Sequence, residues 1–72
     1  MNGIKIASLI KKRRKELGLT QQKLAEISEV SLRKISDIET AFGDTSTGTL
    51  QKVLDALGLE MRIEIKKMDH EI

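Results

Sequence analysis

The chain has 72 residues, which is enough for one domain with a small core. It has no cysteine, which excludes a disulfide framework and thiolate metal sites, and its only Phe, Tyr or Trp is Phe42, which argues against base stacking on aromatic rings. The formal net charge of +2 is mild, no apolar run is long enough to span a membrane, and the N-terminus lacks a signal-peptide pattern, so we expect a cytoplasmic protein.

The first predicted helix runs from about Ile4 to Leu17 and stops at Gly18, a residue typical of helix C-termini. Its apolar stripe at helical spacing consists of Ile6, Leu9, Ile10 and Leu17. The same helix carries five consecutive basic residues at positions 11–15. They are either a solvated helix face or a surface that approaches phosphates, and the sequence favours neither reading.

Arg14 falls on the apolar stripe, four residues after Ile10. Glu39 has the same peculiarity, four residues after Ile35 on the inner side of a later helix. A charge in an inward position needs a partner. We therefore predict that Arg14 and Glu39 form a structural ion pair, and that losing one partner of a buried pair costs about 3–5 kcal/mol.

The central stretch, residues 20–40, predicts two short helices joined by a tight turn. Thr20 caps the first, which spans about Gln21 to Ser28. Ser31 caps the second, which runs from Leu32 to about Thr40. The predicted inward residues are Leu24, Ala25, Ile27, Ile35, Ile38 and Glu39, and the predicted outward residues of the second helix are Leu32, Arg33, Lys34, Ser36 and Asp37. A short helix with such a mixed outer face fits a DNA major groove.

Residues 41–46 form a predicted loop, with Phe42 turned inward. A fourth helix is expected to begin near Ser46 or Thr47 and to end before Gly58. Its buried face consists of Leu50, Val53, Leu54 and Leu57, and Leu59 closes the C-terminal cap.

After Gly58 the apolar period changes to two, which predicts a β-strand. Its apolar residues are Met61, Ile63 and Ile65, and its polar residues are Glu60, Arg62, Glu64 and Lys66. No other segment predicts a strand to pair with it, so we expect the partner to be a second copy of the chain. Antiparallel pairing centred on Ile63 places Arg62 opposite Glu64 and Glu60 opposite Lys66, whereas a shifted or parallel register opposes like charges. The alternative is a frayed tail.

The central motif resembles the helix-turn-helix of the phage repressor family, of the Xre or Cro type. The residues that carry the resemblance are Leu17-Gly18-Leu19-Thr20-Gln21, Leu24-Ala25, Val30-Ser31, Ile35 and Ile38-Glu39. It extends from about Ile6 to Leu59 and implies an all-α, four-helix, lambda-repressor-like fold, to which the chain adds a C-terminal strand that forms an intermolecular antiparallel ribbon in a dimer. The expected divisions are a helix-turn-helix domain at 1–59, a dimerisation strand at 60–67 and a flexible tail at 68–72.

By resemblance, Gln21 contacts a phosphate at the N-terminus of its helix, with Gln22 beside it. Ser31, Leu32 and Arg33 lie nearest the bases, while Lys34 and Asp37 flank them, and Lys34 favours phosphate. Leu32 could instead fold back onto the core. The family usually has glycine where this chain has Glu29, because that turn residue often takes a positive φ, so we expect some strain there.

The C-terminal part resembles HipB-like antitoxins, through Ser46-Thr47-Gly48-Thr49-Leu50 and Leu57-Gly58-Leu59-Glu60-Met61. The resemblance implies a dimeric, nucleoid-associated repressor that reads an inverted-repeat operator, autoregulates a toxin–antitoxin operon and binds a HipA-like kinase toxin. Two alternatives stay open: a stand-alone phage or restriction–modification regulator, and a fold that acts by protein contact alone. We find no nucleophile–base pair, metal cluster or cofactor motif, and expect no enzyme activity.

Overall fold

The computed structural model describes residues 3–40, 45–62 and 65, apart from the side chains of residues 3–5. These residues contain four α-helices and no strand: α1 Gly3–Glu16, α2 Gln21–Ser28, α3 Leu32–Glu39 and α4 Thr47–Ala56. The predicted four-helix architecture is therefore confirmed. The prediction for Phe42 falls outside the described residues, as do Ile63, Glu64, Lys66 and Lys67 of the predicted strand and the tail 68–72.

Each of the three later helices begins with a hydroxyl side chain that accepts a hydrogen bond from the first turn. The Thr20 Oγ1 accepts from the backbone N–H of Lys23 at 3.0 Å, and the Ser31 Oγ accepts from that of Lys34 at 3.1 Å. Ser46 caps α4 in the same way. Because the first four N–H groups of a helix lack partners within it, these caps fix where α2, α3 and α4 begin.

The C-terminal ends of α1, α2 and α4 also share one motif. One residue at each end has a positive φ: Gly18 at 70°, Glu29 at 58° and Gly58 at 69°. The next N–H then bonds back to a carbonyl five residues earlier, and that residue's apolar side chain packs against the core. This is a Schellman cap, which favours glycine at the left-handed position. The positive φ expected for the turn residue Glu29 is present.

The core lies where α2 meets α3 and α4, with α1 packed across α3. Its fully buried side chains are Ile10, Leu24, Ile35, Val53 and Leu57. Two 8-residue helices such as α2 and α3 are too short to be stable alone, so this shared core holds them in place.

Three of the predicted inward side chains are wrong: Leu9, Leu17 and Ile27 are 48%, 44% and 47% exposed. In α2 the inward position one turn after Leu24 belongs to Ser28, which is buried and whose Oγ donates to the Leu24 carbonyl at 2.6 Å. Ile27 is thereby left at the edge. Helical spacing identifies the centre of the buried face of a short helix but not its edges. Successive residues are rotated by only 100° about the helix axis, so spacing does not decide whether a residue at the edge of that face is covered.

Candidate nucleic-acid interface

The C-terminal end of α3 is fixed by a buried ion pair between Arg14 of α1 and Glu39. The Arg14 Nε donates to the Glu39 Oε2 at 2.6 Å, and the Arg14 Nη2 donates to Oε1 at 3.0 Å. The Glu39 side chain is 2% exposed and that of Arg14 10%. A planar guanidinium matched to both carboxylate oxygens sets orientation as well as distance, so the pair fixes how α3 lies on α1.

Two further hydrogen bonds extend the pair toward the start of α2. The Arg14 Nη1 donates to the Leu19 carbonyl at 2.7 Å, and the Gln21 Nε2 donates to the Glu39 Oε1 at 3.2 Å. Sequence periodicity indicated the Arg14–Glu39 pair but gave no signal for the part that Gln21 takes in it. The Gln21 side chain, which the resemblance predicts to contact a phosphate, is therefore held in position by Glu39.

The electrostatics of the pair follow from burial and hydrogen bonding. Burial by itself would raise the pKa of Glu39, but hydrogen bonds from Arg14 and Gln21, with the positive charges of Arg14 and Lys11, hold it below its ordinary value. The hydrogen bond to Glu39 raises the pKa of Arg14 against the opposing effect of burial. Both groups are therefore charged at neutral pH, and Glu39 contributes to stability only while it is ionised.

The N-terminal end of α3 is exposed. Ser31, Leu32 and Arg33 all face solvent, and Leu32 is 47% exposed, so it does not fold back onto the core. Lys34 and Asp37 are half-buried on the flanks. The scaffold thus presents a hydroxyl, a methyl-bearing side chain and a guanidinium within one helical turn, which are groups that hydrogen-bond base edges or touch a thymine methyl.

The N-terminus of α2 offers a second polar surface. Gln22 is exposed and Gln21 is half-buried, and the backbone N–H groups of the first turn point out of the helix. Such an end carries a partial positive charge and suits a phosphate.

The five basic residues of α1 have different roles. Arg14 is in the buried pair, and the Arg13 Nε donates to the Leu57 carbonyl at 3.0 Å, which ties α1 to the end of α4. Lys11, Lys12 and Lys15 remain exposed. Three of the five basic residues are therefore exposed, whereas the guanidiniums of Arg13 and Arg14 bond other parts of the fold.

Of the predicted dimerisation residues, Met61, Arg62 and Ile65 lie in the described part of the chain, with Ile65 fully exposed. Arg62 bonds Glu60 of its own chain at 3.2 Å, so these side chains two residues apart share one side. Met61 and Arg62 also line an apolar groove. The other residues of that groove are Ile6, Leu9, Leu50, Leu54, Leu59 and Glu60.

Within residues 3–40, 45–62 and 65, no cluster of three or more His, Cys, Asp or Glu side chains could hold a metal ion. No described helix combines the length and the apolar character needed to cross a membrane.

Comparisons with known proteins agree with this geometry. A chain of a solved HipA–HipB–O2–O3 complex is 28% identical, with a TM-score of 0.81 over 93% of this chain and 94% of that one. The solved structure of a protein named MDT Protein gives the same values. A point mutant of the restriction–modification controller protein C.Esp1396I is 31% identical, with a TM-score of 0.74 over 81% of this chain and 75% of that one.

No curated protein sequence matches the chain. The helix-turn-helix family profile matches residues 10–63, which is well over half of the chain and includes α2, the turn and α3. The chain therefore belongs to the helix-turn-helix family of DNA-binding regulators.

Proposed function

We propose that the chain is a dimeric, sequence-specific DNA-binding repressor. The observation that carries the proposal is the contrast within α3: a C-terminal end locked by Arg14 and Glu39, and an exposed N-terminal turn at Ser31, Leu32 and Arg33. A rigidly held helix with a polar exposed end suits the major groove. In this proposal Arg33 donates to guanine, Leu32 touches a thymine methyl, and Gln21, Gln22 and Lys34 bind phosphates, with Asp37 at the edge.

The dimer is proposed to form through Met61, Arg62, Ile63, Glu64 and Ile65. Two observations support it: the exposed Ile65, and the groove whose partly exposed Leu9 and Met61 lie where the predicted strand begins. A second copy that pairs its strand there would cover this apolar surface and satisfy the strand's N–H groups. Two reading helices related by a twofold axis would then read an inverted repeat.

Oligomeric state tests the dimer. We expect wild-type protein to sediment as a dimer at micromolar concentration and Ile65→Lys to sediment as a monomer. Leu17→Lys is the matched control, because Leu17 is an exposed aliphatic residue at the end of α1, outside the proposed interface. A monomeric wild type would contradict the proposal.

A footprint on the DNA upstream of the gene tests the repressor. We expect protection of two symmetric half-sites whose centres are about one helical turn, roughly 34–36 Å, or a multiple apart. Binding should weaken steeply with salt because phosphate contacts release counterions. A protein that acts by protein contact alone would give no footprint.

The HipA–HipB–O2–O3 neighbour supports an antitoxin that also binds a HipA-like kinase and represses its own operon. The controller neighbour, at 31% identity, supports a restriction–modification regulator instead. Co-expression with the products of adjacent genes discriminates between them. An antitoxin should co-purify with an adjacent kinase, and Arg33→Ala should keep that complex while losing the footprint; a chain encoded beside a methyltransferase and endonuclease, with no such complex, favours the controller.

A further inference from the structure

The exposed lysines of α1 are a charged surface that the proposed contacts of α2 and α3 leave unused. Lys11, Lys12 and Lys15 line one shallow groove on the outside of α1, together with Ser8 and Glu16. In the part of the chain that the structure describes, none of the three forms an ion pair with a carboxylate; the carboxylate in the groove, Glu16, instead lies 3.9 Å from Arg13. The lysine face, as we term Lys11, Lys12 and Lys15, is thus available to an anionic partner.

The position of the lysine face relates it to the proposed DNA surface. Lys11 lies three residues before Arg14 on α1, within one turn of the guanidinium that bonds Glu39, and Glu39 accepts a hydrogen bond from the Gln21 side chain at 3.2 Å. Lys15 lies one helical turn beyond Lys11, beside the junction at which Arg14 bonds Leu19. Lys11 and Lys15 therefore neighbour the hydrogen-bonded network of Arg14, Glu39 and Gln21 that positions the N-terminus of α2.

The connection between α1 and α2 is short. Only residues 17–20 separate the end of α1, which carries Lys15, from the start of α2 at Gln21. A DNA backbone held at the N-terminus of α2 would therefore lie beside the end of α1 that carries the lysine face.

We propose that the lysine face of α1 is a third DNA-contacting element that binds the phosphodiester backbone beside the α2 N-terminus. This rests on the proposed DNA-binding function and extends its footprint from α2 and α3 to α1. The contacts carry no sequence information; they add affinity and fix the orientation of the reading helix.

The test measures non-specific binding to a duplex without any operator sequence, as a function of salt. Each phosphate contact contributes about 0.9 to the slope of log K against log salt concentration. Wild-type protein should lose affinity for this duplex as the salt concentration rises from about 50 to 200 mM. In Lys11→Gln, and likewise in Lys15→Gln, that loss should be roughly 3.5-fold smaller for each bound chain. The matched control is Lys52→Gln, which removes one exposed charge on α4 beside Asp55 and should leave the slope unchanged.

A second measurement separates this proposal from the proposed function. On the footprinted operator the lysine variants should keep the wild-type preference over random duplex, because they lose affinity for both, whereas Arg33→Ala should lose the preference. If the operator is bound but the lysine variants keep the wild-type salt slope, the α1 proposal is overturned alone, and the lysine face is left for an acidic protein partner. If wild-type protein binds no duplex, both proposals are overturned.

Discussion

Both ends of α3 carry a charged side chain, but one end is buried and the other is exposed. At the C-terminal end, Glu39 is buried and bonded to Arg14 and Gln21. At the N-terminal end, Arg33 and Ser31 face solvent. The charges at one end set the position of the helix, which leaves the charges at the other end available for a ligand. Stability and binding should therefore be separable within one 8-residue helix.

The largest expected effect on stability comes from removing Glu39 at the C-terminal end of α3. Glu39→Ala leaves the Arg14 guanidinium buried without its partner and should lower the free energy of unfolding by about 3–5 kcal/mol. Urea denaturation followed by circular dichroism measures this. Glu26→Ala is the control, because Glu26 forms an exposed pair with Lys23 at 3.8 Å, and pairs of that kind contribute about 1 kcal/mol or less. Equal losses in the two variants would contradict a structural role for the pair.

Low pH should weaken the ion pair between Arg14 and Glu39 at the C-terminal end of α3. Because the folded-state pKa of Glu39 lies below the unfolded value of about 4.3, its contribution is fully present above that value and is lost as pH falls through the folded pKa. Stability measured between about pH 6 and 2 should therefore fall less in Arg14→Met/Glu39→Leu than in wild type. This double variant should also keep most of the stability at neutral pH, since apolar replacements of a buried pair are often neutral. Parallel pH profiles would exclude Glu39 as a source of acid sensitivity.

A smaller effect is expected at the exposed end. Ser31→Ala removes the cap of α3 and should cost about 1 kcal/mol of stability. Ser31→Asp keeps a capping oxygen and should retain that stability, yet it places a negative charge where we propose DNA and should weaken binding. Thermal unfolding and duplex titration on the two variants separate these roles. Wild-type binding by Ser31→Asp would place Ser31 outside the DNA surface.

The smallest effect concerns the turn between α2 and α3. Glu29 has φ 58° in a cap whose counterparts in α1 and α4 are glycines. A residue other than glycine in this conformation costs about 1–2 kcal/mol, part of which glycine loses again through its greater unfolded-state freedom. Glu29→Gly should therefore stabilise the domain by about 0.5–1 kcal/mol.

Gly18→Ala, at the corresponding position after α1, is the reverse test. Nothing lies within 4 Å of the added Cβ, so the substitution isolates the cost of the left-handed backbone and should destabilise the domain. If Glu29→Gly were neutral or destabilising while Gly18→Ala destabilised, strain at Glu29 would be excluded.

Sequence alone predicted the parts of the fold that depend on local rules. The caps at Thr20 and Ser31, the stop at Gly18 and the inward positions of Ile35 and Glu39 follow from residue chemistry and helical spacing. The exposure of Leu9 and Ile27 could not be predicted in this way, because it depends on where neighbouring helices end. The Gln21–Glu39 hydrogen bond and the bond from Arg13 to the end of α4 were also not predicted. Contacts between elements far apart in the chain leave no local pattern in the sequence. The DNA and dimer contacts stay predictions.

The most direct test of the account compares Arg33→Ala with Glu39→Ala in both stability and operator binding. We predict that Arg33→Ala unfolds like wild type, within about 0.5 kcal/mol, because an exposed surface substitution rarely changes stability. The same variant should lose about 1–3 kcal/mol of discrimination between the operator and a sequence altered at the contacted base pair. Wild-type discrimination by Arg33→Ala, with the fold intact, would contradict the claim that the exposed end of α3 reads DNA.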